Sequence, residues 1–190
     1  MVDRQPAPVA GTSTGTINIS TADAEGNMVA VTLSHGGSFG SCVTVPGTGI
    51  TLGHGMCRFD PRPGRPNSVG PNKRPLNNVC PTIIRLPDRD VALGLRGGRR
   101  IVSVVAHLCR QIVEHGASGF EAVSAPRLHV EEQDPIEVTR SLKPELVREL
   151  QALGHEVRLV NGVGGTANVC ERLKDKTLRG ASNVRAVGVS

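Results

Sequence analysis

The chain has 190 residues, a net charge of +5 and only 2% aromatic residues: three Phe, no Trp and no Tyr. A chain of this length buries a real hydrophobic core in one compact domain, filled here by Val, Leu, Ile and Ala. Without stacking aromatics, and without helix-turn-helix or zinc-finger spacing, the basic excess does not describe a nucleic-acid binder, and no apolar run approaches a membrane span.

Much of the positive charge falls between Arg58 and Arg110, including Arg62, Arg65, Lys73, Arg74, Arg96, Arg99 and Arg100. These residues form either a solvated basic face or a surface for an acidic partner or substrate. The five cysteines, Cys42, Cys57, Cys80, Cys109 and Cys170, are odd in number and widely spaced. None lies in a C-x-x-C or beside His at zinc spacing, so they are expected to be small buried residues or free thiols, with no disulfide framework, no metal and no cofactor.

In chain order, Met1–Thr14 combines acid, base and proline without an apolar stretch and reads as a linker, not a secretory signal. Thr16–Ala22 and Met28–Ser34 alternate with β-favouring residues around the turn Asp23-Ala24-Glu25-Gly26-Asn27, which predicts a hairpin. A Gly/Ser loop follows at His35–Ser41, then a short strand within Val43–Leu52 interrupted by Pro46-Gly47-Thr48-Gly49. Phe59–Pro75 has no periodicity and is expected to be an ordered surface loop. Thr82–Leu86 and Val91–Leu95 form a second hairpin around Pro87-Asp88-Arg89-Asp90. Ile101, Val104, Val105, Leu108 and Ile112 then recur at helical spacing up to Gly116. A short helix is predicted at Glu121–Ala125, and short strands at Arg127–Val130 and Ile136–Val138. An amphipathic helix spans Pro144–Leu153, with Pro144 in its first turn and Gly154 beyond its end. Glu156–Val160, Ala167–Leu173 and Thr177–Ala181 complete a β-rich tail. Strands, helices and strands in that order make an α+β chain.

Three stretches could carry chemistry. Gly97-Gly98 stands between a strand and a helix, where unencumbered N–H groups meet the positive end of the helix and suit an anion or a developing oxyanion. The Gly36–Ser41 loop lets backbone approach a ligand closely. Asn72–Asn78 is polar and basic. Each alone is equally a plain turn or a solvated loop.

In their order, Asp23–Thr32 (DAEGNMVAVT), Phe39-Gly40, Pro46–Ile50 (PGTGI), Pro63–Pro66 (PGRP), Gly70–Leu76 (GPNKRPL), Pro81-Thr82-Ile83, Gly97-Gly98 with Arg100-Ile101, and Ala125–His129 (APRLH) resemble the small, catalytic subunit of the gamma-glutamyltransferases. Gly154–Val157 and Gly180-Ala181-Ser182 fit its tail. The resemblance implies the C-terminal, small-subunit half of an N-terminal-nucleophile hydrolase αββα sandwich. It implies residues 1–15 as a linker or the tail of a large-subunit segment, and 16–190 as the small-subunit domain. It further implies a precursor that cleaves itself before a threonine, which then attacks a small-molecule amide and holds the acyl group until water or an amine takes it. The family's spacing from Asp23 places that threonine at Thr16, with Thr12 and Thr14 close by. A hydroxyl is a poor nucleophile until a base takes its proton, and a free α-amine on the same residue can serve. Gly97 and Gly98 would supply oxyanion N–H groups, Ser34 would support the nucleophile, and Asn77-Asn78 stand where a serine pair contacts the substrate carboxylate. A large-subunit partner, contributing an arginine for that carboxylate, and a periplasmic or extracellular location are also implied.

The chain departs from the family where the substrate's α-ammonium is held. Gly36 replaces an Asn, Gly55 a Gln or Glu, Arg58 an Asp, and Asn18 stands where the residue two after the nucleophile is usually His. A cationic Arg58 repels an ammonium, so Arg58, Arg96 and Arg99 favour an anionic or non-amino substrate. Gamma-glutamyl (glutathione-type) amide cleavage is therefore set against three alternatives: an amidohydrolase or acylase with another acyl donor, a non-catalytic small-subunit fragment, and an anion-binding module.

Overall fold

The structure, a computed structural model, describes residues 15–183 and 186–189, the last four by their backbone alone. The expected linker, apart from Gly15, lies outside the described residues, as do Thr12 and Thr14. The chain divides into two compact units: Met1–Gly15 with Ser34–Leu76, and Thr16–Leu33 with Asn77–Ser190.

The larger unit is built on a five-stranded antiparallel sheet. The strands β1 (Thr16–Ala22) and β2 (Met28–Ser34) form a separate two-stranded sheet, with the limits expected from alternation. The main sheet takes β3 (Thr82–Arg85), β4 (Arg89–Arg96), β8 (Thr166–Leu173), β9 (Leu178–Ser182) and β10 (Ala186–Val189), in the order β10-β9-β8-β4-β3. β4 starts two residues before its predicted limit, and Leu86 N–H bonds the Arg89 carbonyl at 2.9 Å, so the turn is Leu86–Arg89. The prediction did not include β10.

One face of this sheet carries the helices. Val91, Leu93, Leu95, Ala167 and Val169 cluster there with Ile101, Val104, Val105, Leu108 and Ile112 of α1 (Arg100–Glu114) and with Ala122 and Val123 of α2 (Gly119–Ser124). Each buried aliphatic side chain on α1 is worth about 1.5–3 kcal/mol against exposure. Gly116, at φ +66°, ends α1, and Ala117 N–H returns to the Gln111 carbonyl at 3.0 Å. The α2 helix begins earlier than predicted because Ser118 and Glu121 form a reciprocal capping box.

Ala92 and Gly94 alternate to the other face of β4, and that face meets β1. A Cβ on Gly94 would lie 2.2 Å from Nδ2 of Asn18. Asn168 of β8 donates from Nδ2 to the Asn18 carbonyl at 2.9 Å, and Ser20 Oγ donates to the Asn168 carbonyl at 3.4 Å. Helices, main sheet and hairpin thus stack as three layers, the α/β/β part of an αββα sandwich.

The hairpin turns its polar side inward. Thr16 and Asn18 are buried, whereas Ile17, Ile19, Val29, Val31 and Leu33 stand 43–55% exposed. A small third sheet joins β5 (Leu128–His129) antiparallel to β6 (Ile136–Thr139), and β6 parallel to β7 (Val157–Val160). The parallel pair is connected through α3 (Pro144–Ala152), a local βαβ unit within the α+β chain.

The smaller unit is loop-built. The strand expected in Val43–Leu52 is reduced to a single antiparallel bridge, Thr44 to Thr51. Gly47 and Gly49 both take positive φ in the expected interruption, and Val45 N–H to the Ile50 carbonyl and Leu52 N–H to the Val43 carbonyl, each at 2.9 Å, flank the bridge. Phe59–Pro75 is an ordered loop, as expected. Asp60 accepts from Arg62 Nε and Nη2, both at 2.9 Å, and Asn67 Nδ2 donates to the Arg58 carbonyl at 2.6 Å. Hydrogen bonding by Arg62 holds the Asp60 carboxyl down to about 2.

Candidate active site

The predicted site residues divide between the two units. Thr16, Asn77, Asn78, Gly97 and Gly98 belong to the larger, and Ser34, Gly36, Gly55 and Arg58 to the smaller.

In the larger unit, Thr16 is the buried first residue of β1. The hairpin crosses β4 where Asn18 meets Gly94. Thr16 lies two residues before that crossing on one strand, and Gly97 three residues beyond it on the other. Arg96, opposite Thr166, is the last paired residue of β4. Gly97 and Gly98 then turn the chain into α1. A Cβ on Gly97 would stand 3.0 Å from Gly165 Cα, and Gly98 sits at φ +61° with open space around it. Close approach to the Gly165 backbone crowds a side chain at the first position, and backbone conformation disfavours one at the second. The Gly97 and Gly98 carbonyls accept the N–H groups of Arg100 and Ile101, each at 3.2 Å. The Asn78 side-chain amide also donates to the Gly98 carbonyl, tying the predicted substrate segment to the predicted oxyanion turn. Asn77 Oδ1 accepts Asn78 N–H at 2.9 Å, which fixes the backbone just before β3. The start of α1, whose dipole favours negative charge, is thus braced from behind.

Asn18, at the position expected to carry His, works in packing. Its Nδ2 donates to the Val31 carbonyl at 3.0 Å and to Thr32 Oγ1 at 3.2 Å.

In the smaller unit, three departures from the family pattern lie together. Ser34 Oγ accepts Gly36 N–H at 3.0 Å, and His54 N–H bonds the His35 carbonyl at 2.8 Å. Gly36, at φ +83°, sits against His54, and the 3₁₀ turn Gly55–Arg58 begins at the next residue. A Cβ on Gly55 would meet nothing within 4 Å. Two of the three arginines assigned to an anionic substrate are otherwise engaged. Arg99 pairs with Glu131 at 3.3 Å and Glu132 at 2.8 Å, and Arg96 Nε donates to Thr166 Oγ1 at 3.0 Å.

The sequence carries no local signal for Gly94, whereas Gly15 and the His35–Ser41 loop stand out in it by position, and the structure adds their contacts. Gly15 carries its carbonyl 2.8 Å from His35 N–H, and a Cβ on it would stand 2.7 Å from the Gly37 carbonyl oxygen. The glycine immediately before the candidate threonine was the available signal.

The family model described as gamma-glutamyltranspeptidase matches residues 2–190. The acylase ACY 1 proenzyme of Pseudomonas sp. (strain SE83) is 36% identical over 179 residues, covering 94% of this chain and 32% of the acylase. The glutathione hydrolase proenzyme of Escherichia coli (strain K12) is 33% identical over 187 residues, covering 92% of this chain and 32% of the hydrolase. This chain thus spans about a third of the length of those curated relatives. Among solved structures, a mutant of Helicobacter pylori gamma-glutamyltranspeptidase superposes with a TM-score of 0.74 at 27% identity, covering 89% of this chain and 99% of that one.

Proposed function

This chain belongs to the gamma-glutamyltranspeptidase family, and from that premise we propose that it supplies the nucleophile of an N-terminal threonine hydrolase. Thr16, released by cleavage of the Gly15–Thr16 bond, attacks the carbonyl carbon of a gamma-glutamyl, glutathione-type amide. Its α-amine takes the hydroxyl proton and returns it to the leaving amine. Gly97 and Gly98 N–H groups hold the oxyanion, Ser34 steadies the nucleophile, and Asn77-Asn78 face the substrate carboxylate. Water or an acceptor amine then releases the acyl group.

The observation that supports this reading is the β1 crossing of β4 at Asn18 and Gly94, which sets Thr16 and the Gly97-Gly98 turn a few residues to either side of one contact. Thr16→Ala tests it. The variant is expected to yield neither a chain beginning at Thr16, by intact mass, nor turnover; a matured, active Thr16→Ala protein would sink the assignment.

The exposed apolar face of the hairpin supports a partner of one kind: the large-subunit segment of the same family. Its helix layer would cover Ile17, Ile19, Val29, Val31 and Leu33 and complete the sandwich.

A second reading, an acylase with a non-glutamyl acyl donor, is favoured by Gly36, Gly55 and Arg58, which offer nothing to an α-ammonium. It accords with the name of the 36% identical relative, an acylase. The two readings separate on kcat/KM for a gamma-glutamyl anilide against its des-amino analogue: preference for the des-amino compound supports the acylase, and preference for the gamma-glutamyl compound the first reading.

A further inference from the structure

The peptide bond ahead of Thr16 is held from outside the strand that Thr16 begins. Within the smaller unit, the Gly15 carbonyl oxygen accepts the His35 N–H at 2.8 Å. Gly15 does not lie in the left-handed region, so its backbone angles do not demand glycine. Proximity does: a Cβ there would stand 2.7 Å from the Gly37 carbonyl oxygen and 3.1 Å from His35 Cβ. The absent side chain is what lets the carbonyl settle onto that donor.

We propose that the His35 backbone N–H is the oxyanion donor for self-cleavage at Gly15–Thr16, and that Gly15 is a positioning residue for the same step. The proposal rests on the reading of Thr16 as the nucleophile. Thr16 Oγ adds to the Gly15 carbonyl carbon, and the electron pair of the C=O bond moves to the oxygen already facing His35 N–H. Collapse breaks the C–N bond. The hydroxyl proton ends on the Thr16 nitrogen, leaving a Gly15 ester on Thr16 Oγ and a free α-amine. Water then adds to that ester against the same donor, Oγ departs with a proton, and Gly15 is left as a carboxylate. Self-cleavage and turnover would therefore use different donors: the His35 N–H for the first, and the Gly97-Gly98 turn for the second.

A donor aimed at the position where charge develops contributes about 10²–10³ in rate. In the full-length protein, Gly15→Ala forces the carbonyl off its donor and is expected to slow the appearance of the Thr16-initiated chain at least about tenfold, followed by intact mass. A second variant removes the donor with little change of shape: an amide-to-ester replacement at residue 35, installed as the α-hydroxy analogue of histidine. It is expected to slow cleavage to a similar degree, with a thermal transition close to that of the uncleaved Thr16→Ala precursor. Wild-type cleavage rates in the ester variant would overturn the assignment, whatever Gly15→Ala does. Maturation of Thr16→Ala would overturn the underlying reading instead, so the two failures are distinguishable.

Discussion

At the scale of single residues, two glycines carry opposite messages. Gly94 is filled space, since a Cβ there would overlap the Asn18 amide. Gly94→Ala must displace the Asn18 amide from the Val31 carbonyl and Thr32 Oγ1 and is expected to cost about 1–3 kcal/mol, as over-packing does, read as a lower urea midpoint. Gly55 is open space. On the proposed assignment of residues 55 and 58 to the α-ammonium, Gly55→Glu with Arg58→Asp is expected to raise kcat/KM for a gamma-glutamyl anilide about tenfold or more, the return on one charge-assisted contact. No gain would mean that this loop does not face the substrate.

His129 adds a pH dependence. It is 3% exposed; its Nδ1 lies 2.8 Å from Ser103 Oγ, and its Nε2 is buried without a partner. Burial, then the Arg100 charge, hold its imidazole below the ordinary value, against a weaker pull upward from Glu131 and Glu137. Above about pH 6.5 both the folded and unfolded forms are neutral, and the group contributes nothing to the pH dependence. Below that, the unfolded chain takes up a proton that the folded one resists, so stability falls until the depressed folded value is reached. Urea titrations between about pH 7 and 5 are expected to show a shallower fall in His129→Gln; equal slopes would rule the group out.

At the scale of elements, β4 and β8 share a buried ion pair beyond their ladder. Arg89 Nε and Glu171 Oε1 are 3.2 Å apart, with side chains 11% and 4% exposed. Glu171→Gln removes one of two carboxylates on Arg89, which keeps Asp88 at 2.7 Å and the Ala117 carbonyl at 2.7 Å, and is expected to cost about 1–3 kcal/mol, read by denaturant unfolding. The elements themselves were largely legible. Alternation located β1 and β2, and the spacing of Ile101, Val104, Val105, Leu108 and Ile112 located the buried side of α1. Misread limits have local causes. The Ser118–Glu121 box starts α2 early, and the segment interrupted at Pro46–Gly49 keeps only the Thr44–Thr51 bridge across its turn. Alternation cannot say which face of a hairpin points inward, and here the apolar one points out. The Asn168–Asn18 bond joins residues 150 apart in sequence, which no local pattern reveals. The site was legible in the same measure: Gly97-Gly98 is a motif, but the His35 contact on Gly15 exists only after folding.

For the molecule as a whole, the αββα sandwich is present here as three of four layers. Five aliphatic side chains on one hairpin face, each at least 43% exposed, are a surface that soluble chains seldom leave bare. Produced by itself, residues 16–190 are expected to bind a hydrophobic dye and self-associate. Co-expression with the large-subunit segment should suppress both, with monodisperse size-exclusion profiles as the readout. Ile17→Thr with Val31→Thr should improve behaviour alone while weakening that assembly. Unimpaired assembly in the double variant would place the interface elsewhere.

The contact between Asn18 and Gly94 also constrains how such a chain can diverge. Two layers of the fold touch there with no room for a methyl group, so residue 94 cannot grow while Asn18 stays. A descendant that enlarges residue 94 must already have shortened residue 18, and in doing so gives up the amide that holds Val31 and Thr32. Sequence sampling across relatives should therefore find a larger residue at 94 only beside a shorter one at 18, with sequences carrying Ala at 94 beside Asn at 18 depleted.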